Sequence, residues 1–233
     1  MTQVEVLNEI KAIGTAVDHI AERLKCLVLK LNNNPSVLPL ATIPETPFDE
    51  IYAKGSWGNG SGHGSSPDYT AGYRDFLQKW LVSHQIKTVV DIGCGDWQFS
   101  NLVNWKGIDY TGIDCVKSVV DKNNATYAIP GRIRFLHHNI LVDEWQTPCN
   151  LIILKDVIQH WPNEAILRVL PALRKMTKQL LITNCSNGAR DGADCPLGGW
   201  RPLSHTLEPL ANFKGKLVYS FHTKVTSVIS GEI

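Results

Sequence analysis

The segment VVDIGCGDWQFS, residues 89–100, constrains this chain more than any other. A β-rich apolar run from Lys87 to Val90 meets an acid, Asp91, then two glycines, Gly93 and Gly95, and then a polar stretch. Glycine admits the tight turn, and a helix that starts after it presents free backbone N–H groups to a ligand. The pattern therefore predicts a strand, a turn and a helix over 97–105. A second strand-like run, Tyr110-Thr111-Gly112-Ile113, ends in Asp114, 19 residues after Gly95. A carboxylate at that point can accept both hydroxyls of a ribose.

Two nucleotide-like cofactors fit such a unit. A dinucleotide site wants a third glycine where this chain has Gln98, and Asp91 would stand unfavourably close to a pyrophosphate. S-adenosylmethionine (SAM) has no phosphate, and the ammonium of its methionine end is attracted by an acid. The acid-x-Gly-x-Gly arrangement favours SAM.

The surrounding pattern predicts an α/β domain over residues 49–233. A glycine-serine loop, GSWGNGSGHGSS (55–66), leads into a helix over 68–84. Strands are expected at 87–91, 109–113, 132–137, 150–155 and 178–183, with helices at 97–105, 116–124 and 162–176 between them. The closing runs 216–221 and 224–230 are separated only by His222 and Thr223 and read as an antiparallel hairpin. The fold expected is a Rossmann-like, doubly wound, mostly parallel sheet with an antiparallel terminal hairpin.

Ahead of this domain, Val6, Ile10, Ile13, Val17, Ile20, Leu24, Leu27 and Leu31 alternate spacings of four and three without a break. That heptad predicts an N-terminal coiled-coil helix over 1–33, and a homo-oligomer assembled through residues 6–31. Residues 34–48, with four prolines, read as an extended linker.

Composition excludes several classes. A formal net charge of +1 and the lack of a basic-aromatic patch argue against nucleic acid, as does the lack of an Asn/Asp-Pro-Pro-aromatic segment. No apolar run is long enough for a membrane span, and the N-terminus lacks a signal pattern. The six cysteines form no C-x-x-C pair. They are expected as reduced thiols in a cytoplasmic protein.

The glycine turn with Asp91, the acid Asp114 and the segment RFLHHNILVDEW, in that order, resemble class I SAM-dependent methyltransferases across residues 49–215. The resemblance implies SAM as cofactor, with Asp91, Gly93, Gly95, Asp114 and the adjacent Cys115 around it. Asn139 stands where the class has an adenine-binding acid, and Ile140 would offer its backbone N–H to the ring. Trp97 stands at the third glycine of the turn. More narrowly, SWGNGSGHGS (56–65), LKDVIQHWPNEA (154–165) and TNCSNGARDGADCPLGGWRPL (183–203) are similar to a subfamily associated with glycan and sugar modification. That likeness implies a sugar or glycan acceptor.

Methyl transfer to a hydroxyl needs alignment and a positioned base. Asp156 closes the fourth strand and His160 follows four residues later, so the pair is the candidate base with its orienting partner. Lys155, Ser61 and Gly62 are the remaining candidate cofactor contacts, the last two in a loop read as a lid. Trp200, Arg201 and Asn184 are candidate acceptor contacts, the indole for stacking and the guanidinium for hydroxyls. Asp191 and Asp194 read as solvated, and no metal is expected. Alternative readings are a methyltransferase for another small molecule or a protein, and a coiled-coil scaffold whose domain only binds the ligand.

Overall fold

The computed structural model describes residues 46–143 and 145–233, and the predicted coiled coil and most of the linker lie outside them. The first described helix, α1 (Pro47–Lys54), begins inside the expected linker. Thr46 precedes it, Pro47 fills its first turn, and Thr46 N donates to Asp49 Oδ2 at 2.7 Å. This Thr-Pro-x-Asp start is a legible capping signal that the proline count obscured.

After the glycine-rich loop come α2 (Ala71–Ser83), β1 (Thr88–Ile92), β2 (Asp109–Asp114), α3 (Lys117–Tyr127) and β3 (Ile133–His137). The chain continues through β4 (Cys149–Lys155), α4 (Asn163–Arg174), β5 (Thr177–Cys185), β6 (Lys216–Phe221) and β7 (Lys224–Ser230). The seven strands form one sheet in the order β3-β2-β1-β4-β5-β7-β6. All neighbours are parallel except β7, which runs antiparallel to both β5 and β6. The expected hairpin forms, and its second strand inserts between the first and β5.

Strand alternation sends the core two ways. Val89, Leu151, Ile153 and Leu181 pack with Tyr73, Leu77 and Leu81 of α2 on one face. Val90, Ile92, Ile152, Leu154, Leu180 and Ile182 pack with Ile166, Leu170 and Leu173 of α4 on the other. Burial on both faces explains why these strands read as unbroken apolar runs.

The helix expected over 97–105 does not form. That stretch holds only a single 3-10 turn, Ser100–Leu102. Asn101 N makes one helical bond, to Trp97 O at 3.1 Å, but side chains take the carbonyls that would continue the helix: Asn101 Nδ2 donates to Gln98 O, and the Trp105 indole donates to Ser100 O at 2.8 Å. Trp97 also sits at φ +59, the left-handed conformation of the glycine it replaces. The strain is offset by burial of its indole among Tyr110, Tyr127 and Phe135.

Candidate active site

Parallel strands of an open sheet end together, and the crevice beyond their C-terminal ends is where ligands of such folds sit. Here that edge carries Asp114 from β2, Asp91 from β1, Lys155 at the end of β4 with Asp156 just after it, Cys185 from β5 and Lys224 from β7. They line one cavity of about 430 Å³, roofed by Phe48, Tyr52 and Trp57 and by the loop Ser61–Ser65.

At the β1–β2 end the acids are built in. Asp114 accepts Gly95 N through Oδ2 and Val116 N through Oδ1, both at 3.0 Å. Each oxygen keeps a second lone pair, the acceptor set that the two hydroxyls of a ribose diol require. Asp91 is buried and accepts the Tyr110 hydroxyl at 2.6 Å, and Tyr110 in turn accepts the Trp97 indole N–H at 2.7 Å. Burial pushes the Asp91 carboxyl up to about 7, partly offset by Tyr110 and Lys155. A buried acid at that value pairs with a cation once it has given up its proton. Asn139 and Ile140 line the same end, as does Cys115. Asn139 Oδ1 already takes Leu141 N at 3.1 Å, which fixes the amide and leaves one lone pair.

The backbone N–H groups of the glycine turn are not free, contrary to the helix-terminus expectation. Gly93 N and Cys94 N donate to Ile113 O, and Asp96 N donates to Ser61 Oγ at 2.9 Å. Ser61 N returns a bond to Asp96 Oδ2 at 3.1 Å, and Tyr52 Oη lies 2.7 Å from Ser61 Oγ. The glycine-serine loop is thus fastened across the turn. Gly95 and Gly60 are required there, because both have φ +56 and a methyl group on them would fall on Ser61 Oγ and Asp96 Oδ2.

The expected Asp156–His160 pair does not form. Asp156 binds Lys155 Nζ at 2.7 Å through Oδ2 and Lys224 Nζ at 2.6 Å through Oδ1. Burial works to raise its carboxyl, yet the two ammonium groups hold it below the ordinary range, which makes it a weak base. His160 Nδ1 instead lies 2.6 Å from Gly199 O. A carbonyl only accepts, so Nδ1 carries the proton and Nε2 is the basic nitrogen. Burial holds this imidazole below its usual pKa, so it is neutral near pH 7. It lines the cavity against Trp57, with ring centroids 5.1 Å apart, and Phe48.

The acceptor candidates divide. Trp200 lines the cavity with 56% of its surface exposed. Arg201 is buried away from it, donating to Ala193 O, Gln159 O and Asn163 Oδ1 and so bracing the loop after β5. Asn184 is also buried and is not part of the cavity wall. Of the loop acids, Asp191 accepts Glu208 N, and Asp194 accepts Asn163 N and Cys195 N. Sequence reasoning missed Lys224, which only the antiparallel insertion of β7 brings to the edge. It also missed the roof of Phe48, Tyr52 and Trp57.

No protein-family model and no curated protein sequence matches this chain. Solved structures do. N-methyltransferase NodS from Bradyrhizobium japonicum WM9, in complex with S-adenosyl-L-homocysteine (SAH), is similar at a TM-score of 0.60 and 11% identity, over 80% of this chain and 99% of that one. Magnesium protoporphyrin IX methyltransferase ChlM from Synechocystis PCC 6803, with bound SAH, is similar at a TM-score of 0.55 and 16% identity, over 79% and 97%. An O-methyltransferase family protein from Burkholderia thailandensis is similar at a TM-score of 0.54 and 12% identity, over 70% and 56%. At such identities the likeness establishes the fold: this chain has the Rossmann-like fold of SAM-dependent methyltransferases.

Proposed function

We propose that this chain is a SAM-dependent O-methyltransferase whose acceptor is a hydroxyl of a sugar or glycan. The observation that carries the reading is the pairing of two buried acids, Asp91 and Asp114, with a neutral imidazole, His160, around one cavity. SAM, when bound, supplies a methyl group on a sulfonium, open to in-line displacement. Asp114 holds the ribose diol, Asp91 the methionine ammonium, and Asn139 with Ile140 the adenine edge. The loop carrying Ser61 and Gly62 covers the methionine end and keeps water out, and Lys155 ties it down by donating to Gly64 O at 2.9 Å.

His160 Nε2 takes the proton of the attacking hydroxyl. Its Nδ1 bond to Gly199 keeps the ring in the basic tautomer and ties it to the loop that carries Trp200. The exposed indole of Trp200 suits stacking on a sugar face. The roof of Phe48, Tyr52 and Trp57 favours a second reading, a flat aromatic hydroxyl as acceptor.

Conversion of SAM to SAH with a panel of sugars and phenols tests the proposal. Turnover is expected with one class. His160→Ala is expected to lower it by about 10² to 10⁴ while SAH binding stays within a few-fold. Undiminished turnover in this variant would remove His160 from the reaction, and the absence of turnover with every acceptor would favour a domain that only binds the ligand.

A further inference from the structure

The cavity end away from Asp114 holds a charge cluster of which the cofactor reading uses only Lys155. Lys155 ends β4, Asp156 follows it, and Lys224 opens β7 opposite Cys185 of β5. Their side chains are 3%, 14% and 5% exposed, respectively. One carboxylate therefore serves two buried ammonium groups. Lys155 donates also to Gly64 O and rests over the Phe99 ring at 4.8 Å, so its donors are engaged. Lys224 is less well served. Among the described residues, beyond Asp156 it has Cys185 Sγ at 3.5 Å, a weak acceptor, and the Tyr69 ring 5.7 Å away.

The other titratable groups nearby do not supply the missing anion. His160 is neutral or positive, never negative. Asp91 faces Lys155 from β1, and it is the acid offered to the cofactor ammonium. Two buried ammonium groups thus share the one carboxylate of Asp156, which holds Lys224 in its charged form and leaves net positive charge on this part of the cavity wall, where an anion would be attracted.

We propose that Lys224 anchors an anion subsite in the acceptor half of the cavity, taking a carboxylate or phosphate group carried by the acceptor. This rests on the methyltransferase reading and narrows its substrate class to acidic acceptors. Strand order favours the acceptor over the carboxylate of the cofactor itself. The ribose acid ends β2 and the ammonium acid lies on β1, whereas β7 stands three strands beyond β1, about 14 Å along the edge at the usual spacing. The Lys224 side chain reaches back from there only as far as Asp156, above β4.

The test is calorimetry on the full chain saturated with SAH. The probes are glucuronate against glucose, glucose 6-phosphate against glucose, and 4-hydroxybenzoate against 4-hydroxybenzyl alcohol. At least one acid is expected to bind ten-fold or more tightly than its neutral counterpart. Lys224→Met is expected to abolish that difference and leave SAH affinity within about two-fold, and Lys224→Arg to retain the preference. A preference shown by 4-hydroxybenzoate alone would support the subsite and refute the sugar acceptor. Acids that bind wild type no better than neutral probes would overturn the subsite, whatever the variants do. A ten-fold loss of SAH affinity in Lys224→Met would assign the lysine to the cofactor and overturn it too. A wild-type chain that does not bind SAH would overturn the methyltransferase reading and the subsite together.

Discussion

At the scale of single residues, two acids separate by environment. Asp114 receives two backbone N–H groups; we propose that it holds the ribose diol, so that Asp114→Ala removes a charge-assisted pair of hydrogen bonds. Such a pair contributes on the order of 1.5–3 kcal/mol, and SAH affinity is expected to fall roughly ten-fold to a hundred-fold in calorimetry. Asp91 has its carboxyl raised to about 7 by burial, so it must lose a proton to pair with an ammonium. SAH binding is therefore expected to strengthen from pH 5.5 to 7.5, by up to about ten-fold per unit below 7, with proton release. Asp91→Asn should flatten that dependence, and a wild-type affinity that is constant over the range would show that Asp91 does not face the ammonium. The sign for stability follows from the same shift. A carboxyl raised in the folded state stabilises below its unfolded value and loses that contribution as pH rises through about 7. Asp156, held low by its lysines, runs the other way and loses stability as pH falls through the carboxylate range.

At the scale of elements, the loop after α1 acts through its bonds to the glycine turn rather than through regular structure. Its glycines make it expensive to order, and Ser61 recovers part of that cost at Asp96. Gly60→Ala places a methyl group on the Asp96 carboxylate at a left-handed position, so the fastening has to break. The fold loses little, about 1–2 kcal/mol, because the loop lies outside both cores. SAH is expected to dissociate about ten-fold faster in stopped-flow measurements. An unchanged off-rate would mean that the loop does not cover the bound ligand. Element prediction succeeded where the apolar pattern governs, as in the unbroken runs of the buried strands and the helical spacing of α4. It failed at 97–105, where Asn101 and Trp105 bond to local carbonyls, because such competition leaves the apolar pattern unaltered.

At the scale of the whole molecule, the described residues form one α/β sheet with helices on both faces, and no described helix is long and apolar enough to cross a membrane. The heptad of residues 6–31 lies outside them, and we propose that it assembles copies of the chain. Full-length protein is expected to scatter light as an oligomer at tens of micromolar, with deletion of residues 1–34 giving a monomer of undiminished SAH affinity. A full-length monomer would refute the assembly.

The sequence by itself determined the strands and the glycine turn and singled out Asp91 and Asp114 as candidate cofactor acids, because these follow from local rules: apolar runs, turn chemistry and the end of a strand. Tertiary structure decided how the charges pair. Asp156 and His160 are four residues apart, yet Asp156 pairs with the adjacent Lys155 and the remote Lys224, and His160 with the remote Gly199. Arg201 turns inward to loop carbonyls for the same kind of reason. A buried polar group takes whichever partner the packed chain brings within about 3 Å, and sequence spacing carries no record of that choice.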